Sequence, residues 1–177
     1  MPYIISAIVI VLLLVTLFAL AIIILNTAGV NKRCEGDDNL KYLKAKNFDN
    51  LNALPISFKS DKQQTLNGFL YSSAKVDAYK GLIVFSHGMG AGHLAYTTEI
   101  NYLAQKGYIV LAYDNTGTCT SEGKKIKGFA QGIIDLKYAL DFVKTRDDLK
   151  DLSVLLVGHS WGAYSVSNVS ALNPSVE

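Results

Sequence analysis

Val154-Leu155-Leu156-Val157-Gly158-His159-Ser160-Trp161-Gly162 joins two local patterns that complete each other. Four consecutive aliphatic residues suit a short strand buried on both faces, as in a parallel sheet. They run straight into Gly-x-Ser-x-Gly, and from about Trp161 the chain reads as a helix. A sharp strand-to-helix turn strains the serine backbone and projects its hydroxyl out of the fold. The flanking glycines avoid collisions that a Cβ would cause. The following helix aims its N-terminal N–H groups and positive dipole end at a developing anion. The bare pentapeptide is common, but its place between a buried strand and a helix sets it apart from a structural serine in a tight turn.

Working back from this turn, Leu82-Ile83-Val84-Phe85 and Tyr108 to Tyr113 are two more short apolar runs with the look of buried strands. Ile56-Ser57-Phe58 alternates, Ser60-Asp61-Lys62 reads as a turn, and Leu66 to Tyr71 is a further strand, which together predict an antiparallel hairpin. A helix is expected from about Ala95 to Lys106, with Gly107 at its C-terminal cap. Phe129, Ile133, Leu136, Leu140 and Val143 recur at helical spacing, with Asp135, Lys137, Asp141 and Lys144 largely off that face. Strands alternating with helices imply a layered α/β fold. The first buried run ends in Ser86-His87-Gly88-Met89-Gly90-Ala91-Gly92. Such a glycine-rich loop can present backbone N–H groups into a site. No Gly-Lys-[Ser/Thr] and no dinucleotide fingerprint accompanies it, so an anion-stabilising loop facing the serine fits better than a phosphate cradle.

The N-terminus is different material. Half of the 177 residues are hydrophobic and net charge is +2, yet every Lys, Arg, Asp and Glu lies after residue 31. Tyr3 to Leu25 is an uncharged apolar run, and a helix of about 20 such residues spans a bilayer core. It has no basic start, is too long for a signal-peptide core, and Asn26-Thr27-Ala28 is a poor cleavage site, so an uncleaved anchor is expected. Lys32, Arg33, Lys41, Lys44 and Lys46 follow the helix and nothing basic precedes it, which places the globular part in the cytoplasm. The expected organisation is residues 1–31 as anchor, 32–54 as a polar tether and 55–177 as the layered α/β part. Two cysteines, Cys34 and Cys119, exclude a disulfide scaffold, and both read as ordinary free thiols. The small net charge argues against nucleic-acid binding. No Cys/His cluster has metal-ligand spacing, and neither a metal nor a cofactor is expected.

The His87-Gly88-Met89-Gly90 loop, Asp114 after a strand, Ser121-Glu122-Gly123 and the Gly158–Gly162 turn together resemble the α/β-hydrolase family. Within it they resemble the serine aminopeptidase S33 and monoacylglycerol-lipase-like branch, over about residues 55–177. The resemblance implies Ser160 as nucleophile and the backbone N–H groups of Met89 and Trp161 as the oxyanion hole. It makes His87 and His159 neighbours in the motifs rather than the base, and Asp114 a structural residue closing a strand-end loop. The fold implied is the N-terminal part of an α/β-hydrolase, a hairpin plus the first parallel strand–helix units, preceded by one transmembrane helix. Cys119 stands where the family has a glycine, which costs a β-carbon about a kcal/mol or more if φ is positive there.

The family triad runs Ser, Asp/Glu, His in chain order. After Ser160 the sequence has no His and no Asp, only Glu177. The chain therefore reads as a truncated or incomplete hydrolase lacking the triad acid and His, with Leu172-Asn173-Pro174-Ser175 falling mid-element. The expected partners are the lipid bilayer and a small ester, lipid or peptide substrate. Esterase, peptidase and acyltransferase chemistry stay open, and a catalytically inactive membrane-tethered binding module is the alternative.

Overall fold

The computed structural model describes residues 2–171. The opening helix α1 spans Pro2–Val30. Tyr3–Leu25 is long and apolar enough to cross a membrane and is not buried by any of the described residues, so it is not the core helix of the domain. Its polar hydroxyls are satisfied internally: Thr16 Oγ1 donates to Leu12 O at 2.8 Å and Thr27 Oγ1 to Ile23 O at 2.8 Å. That back-bonding is what an apolar solvent demands of a helix.

The globular part is a three-layer α/β/α arrangement built on five strands. They are β1 (Leu51–Lys59), β2 (Thr65–Ser73), β3 (Gly81–Ser86), β4 (Tyr108–Tyr113) and β5 (Val154–Gly158), in the order β1-β2-β4-β3-β5. The hairpin β1–β2 is antiparallel, as the alternation predicts, though β1 starts at Leu51, ahead of Ile56. Pro55 is tolerated because β1 is an edge strand. β3 is parallel to both β4 and β5.

The helices follow from this order. From β3 the chain moves sideways to β4 through α2 (Thr97–Gln105). From β4 it returns past β3 to β5 through α3 (Phe129–Lys144). Right-handed crossovers in opposite directions put their helices on opposite faces. One core accordingly holds Ile83, Phe85, Ile100, Ala104 and Val110 on the α2 side. The other holds Leu82, Val84, Leu111, Leu136 and Leu140 on the α3 side, with Val169 of the last helix α4 (Trp161–Val169).

Two readings of the sequence need correction. Leu82 to Phe85 are all buried, but β5 is the edge of the described sheet and Leu155 is 43% exposed. Asp135 does not face solvent; it is fully buried and accepts hydrogen bonds from Ser60 Oγ (2.6 Å), Thr116 N (2.7 Å), Thr116 Oγ1 (2.9 Å) and Gln131 Nε2 (2.9 Å). Helical spacing marks where a side chain points, not whether polar partners await it there. Burial pushes the Asp135 carboxyl up, against the four donors that favour its charge.

Residues 32–54, which read as a polar tether, touch the domain at defined points. Cys34 N–H donates to Gly117 O (3.0 Å) and Cys119 N–H to Cys34 O (2.7 Å). The Arg33 guanidinium donates to Cys119 O (2.7 Å), Ser121 O (3.0 Å) and Gly123 O (2.8 Å), and to Glu35 (2.8 Å). Leu172-Asn173-Pro174-Ser175 and Glu177 lie outside the described residues.

Candidate active site

The C-terminal ends of β3, β4 and β5 lie along one side of the sheet. The chain leaves β3 toward one face and β5 toward the other. A crevice opens where neighbouring strands send their connections to opposite faces, and ligands of open α/β sheets bind there. The two motifs singled out in the sequence meet at this point, because Ser86 and Gly158 are paired residues of β3 and β5.

Ser160 sits at the N-cap of α4 with φ 53° and ψ −114°, a conformation that L-residues rarely adopt. The surroundings impose it. A Cβ on Gly162 would collide with the carbonyls of Ser86 and His87, and one on Gly158 would collide with the Gly162 backbone. The strand end and helix start therefore approach more closely than any side chain permits. Ser160 is exposed at the tip of the turn.

The loop after β3 is held from three directions. His87 is fully buried; its Nδ1 lies 2.8 Å from Gly88 O, and its Nε2 accepts from Asn115 N–H at 3.0 Å. These partners fix a neutral ring with the proton on Nδ1, and burial lowers its pKa in the same direction. Gly88 N–H donates to the Tyr96 hydroxyl (3.1 Å), which also hydrogen-bonds His159 Nδ1 (2.9 Å). His159 thus turns toward Tyr96. The Met89 and Trp161 N–H groups make no hydrogen bond among the described residues, so both remain available. None of the three histidines hydrogen-bonds Ser160.

Asp114 fastens the far side. One carboxylate oxygen meets His93 N–H (2.9 Å) and His93 Nδ1 (2.8 Å); the other accepts from Thr120 N–H (3.1 Å) and Thr120 Oγ1 (2.6 Å). Burial pushes this carboxyl up, but the hydrogen bonds from His93 and Thr120 win and hold it well below the usual carboxylate range. A depressed folded-state pKa contributes stability above the ordinary carboxylate value of about 4, lost as pH falls through it toward the folded value. Asp114→Asn is therefore expected to flatten the acid limb of stability. Thermal melts between about pH 2 and 7 check it, and an equally steep acid limb in the variant would refute it.

Cys119 has φ +40°, so the position where the family has glycine does need the left-handed region. Its sulfur lies where a Cβ on Gly36 or Gly92 would sit, so thiol and glycines share one space. Burial pushes the thiol up to about 12, with Asp114 adding to the effect, which leaves it protonated and unreactive.

Two cavities open at this end of the sheet, neither lined by Ser160. One of about 440 Å³ is lined by Phe85, Tyr96, Tyr102, Leu103, Val157 and His159. The other, about 270 Å³, lies between residues 35–44 and the strand-end loops, against Gly92, Asp114 and Cys119. Among the described residues no group of His, Cys, Asp and Glu could hold a metal ion.

Sequence reasoning located Ser160, Met89 and the flanking glycines at one end of the sheet. It missed His93 and Tyr96, which hold the loop, and Arg33, which holds its neighbour. An isolated His, Tyr or Arg has no local pattern that announces its partner.

The architecture is shared with solved hydrolases. An esterase of Pyrococcus furiosus matches with a TM-score of 0.67 at 22% identity, covering 83% of this chain and 54% of its own. The α/β-hydrolase GrgF from Penicillium sp. sh18 gives 0.63 at 20% identity, covering 71% and 43%. Brefeldin A esterase, a bacterial homologue of human hormone-sensitive lipase, gives 0.57 at 22% identity, covering 72% and 36%. The chain thus spans about half the length of the Pyrococcus esterase it matches. No curated protein matches its sequence. The sequence profile of the serine aminopeptidase S33 family covers residues 77–176, from the approach to β3 through the serine turn, and the chain belongs to that family.

Proposed function

We propose that residues 1–177 form the N-terminal part of a membrane-anchored serine hydrolase of ester or amide bonds. The observation that carries this reading is the strained, exposed Ser160 beside two unpaired amides. Ser160 Oγ attacks the substrate carbonyl. The Met89 and Trp161 N–H groups receive the oxyanion, and the amides work because they are already aimed before charge develops. The leaving group departs to give an acyl-enzyme, and water then releases the acid. His87, His93 and His159 are bound to other partners, so the general base and its acid are expected outside these residues. Asp114, His87 and Tyr96 act by shaping the loops.

Residues 1–31 act as anchor, 32–54 link it to the sheet with Leu51–Leu54 already in β1, and 55–177 carry the rest of the hydrolase part. Basic residues after the helix favour a cytoplasmic domain. A small ester, a lipid or a peptide fits the chemistry, with no metal or cofactor called for.

A fluorophosphonate probe tests the reading on the protein in its native membrane. Labelling is expected, and Ser160→Ala should abolish it. Undiminished labelling of the variant would refute Ser160 as nucleophile. An unlabelled native protein would favour the inactive binding module, the reading that the histidine geometry otherwise supports.

A further inference from the structure

Arg33 lies three residues beyond the end of α1 at Val30, yet it is bound to the loop that follows β4. Three residues reach at most about 10 Å. The loop concerned is on the same side of the sheet as Met89 and Ser160, and Cys119 of that loop packs against Gly92 of the glycine-rich loop. The attachment is strong for its size. One guanidinium satisfies three carbonyls, and a backbone bridge at Cys34 continues it. A helix tethered at the opposite end of the strands would stand off by another six-residue strand, about 20 Å.

The surface around this attachment carries exposed lysines, Lys32, Lys124 and Lys125. Of the neighbouring acids, Glu35 is ion-paired with Arg33, while Glu122, bonded to Thr65 N–H, keeps its charge. Asp37 accepts from Asn39. Juxtamembrane lysines attract anionic lipid headgroups.

We propose that Arg33 and Cys34 clamp the serine-bearing rim against the bilayer, so that the substrate is an acyl ester held in the headgroup layer rather than a soluble ester. This rests on the hydrolase reading above and assigns its substrate class. Arg33 is a positioning residue and touches no substrate. The lipid stays in its leaflet while Ser160 attacks the ester carbonyl; the acyl group passes to Ser160 Oγ and the alcohol leaves with the proton.

The test uses the full-length protein in vesicles containing anionic lipid. A flexible insertion of roughly 20 Gly/Ser residues between Val30 and Asn31 lengthens the link by about 25 Å without touching the domain. Hydrolysis of a short water-soluble ester should stay within about twofold, while that of a long-chain ester embedded in the vesicles should fall at least tenfold through KM. Arg33→Ala should shift the two substrates in the same unequal way, and Arg33→Lys should restore little, since a lysine cannot span three carbonyls.

A second readout needs no activity. A fluorescent residue at Lys124, on the rim, should be quenched by a headgroup quencher, and one at Asp77, on the opposite end, should not. Equal loss on both esters, or no loss on the vesicle ester, overturns the substrate assignment. Equal quenching at the two positions overturns the orientation. A native protein inactive on both esters and unlabelled by fluorophosphonate overturns the hydrolase reading itself, with the dyes still deciding which end meets the membrane.

Discussion

Replacing Ser160 with alanine is expected to lower kcat/KM of the enzyme by about 10⁴- to 10⁶-fold while leaving its melting temperature nearly unchanged. The two halves of that expectation have separate causes. Alanine keeps the Cβ, so the backbone at φ 53° and ψ −114° carries the same strain as before, and the turn should persist. Ser160 is exposed and its hydroxyl makes no hydrogen bond among the described residues, so its removal leaves no buried partner there unsatisfied. On the proposed mechanism, however, chemistry loses the atom that would form the acyl bond. The residual rate then comes from substrate binding beside the Met89 and Trp161 amides, which in serine proteases gives about 10³ to 10⁴ over water. Steady-state kinetics on a chromogenic ester, with thermal melts of both proteins, tests both halves. Activity within tenfold of native would remove Ser160 from the mechanism. A large loss of stability would mean the hydroxyl has a structural role that the geometry does not contain.

Gly162→Ala is expected to do the reverse and break the scaffold. The new Cβ would fall on the Ser86 carbonyl, with the His87 carbonyl close behind. Both are backbone atoms, so no rotamer change relieves the contact. Either α4 moves off β3 or the β3–β5 ladder opens at its Ser86–Gly158 end. Overpacking against a fixed partner costs typically 1–3 kcal/mol, and a backbone collision lies at or above the top of that range. Since total stability is only about 5–15 kcal/mol, a large share is lost. The same displacement separates the Met89 and Trp161 amides, so activity should fall even in molecules that remain folded. Gly90→Ala is the control. Gly90 has φ +82° but an added Cβ would meet nothing within 4 Å, so only the left-handed penalty of about 1–2 kcal/mol applies. Equal melting temperatures for the two variants would show that the close approach of α4 to β3 is not what the glycine serves.

The sequence announces these elements unevenly. β3 and β4 are legible because burial on both faces selects unbroken apolar runs, and Leu82 to Phe85 and Tyr108 to Tyr113 are such runs. Ser160 is legible because a turn this tight admits few sequences. Asp135 is not, since a carboxylate at a helix position looks solvated until Ser60 and Thr116, distant in sequence, supply its donors. β5 reads like β3, but the same composition cannot say which strand lies at an edge. The start of β1 is hidden because Leu51 to Pro55 lacks clean alternation, and its pairing with β2 decides it. Arg33 illustrates the limit most clearly. Its partners across the domain are carbonyl oxygens, which every residue has, so no side-chain pattern could reveal them.

The position of β3 also has a kinetic meaning. Every residue of this central strand is buried, but both of its neighbours come later in the chain. β4 follows after a helix, and β5 is complete only at Gly158, roughly seventy residues beyond Ser86. At about 5–20 residues per second, a ribosome needs on the order of 4 to 14 s to make that stretch. For that time an apolar strand has an unpaired edge, close to a membrane if α1 has already inserted. Long-range parallel pairing is slow and exposed to misassociation in any case. The nascent chain is therefore expected to depend on holding factors during this interval, and substitutions that slow the arrival of β5 should lower yield more than they lower the stability of the finished fold.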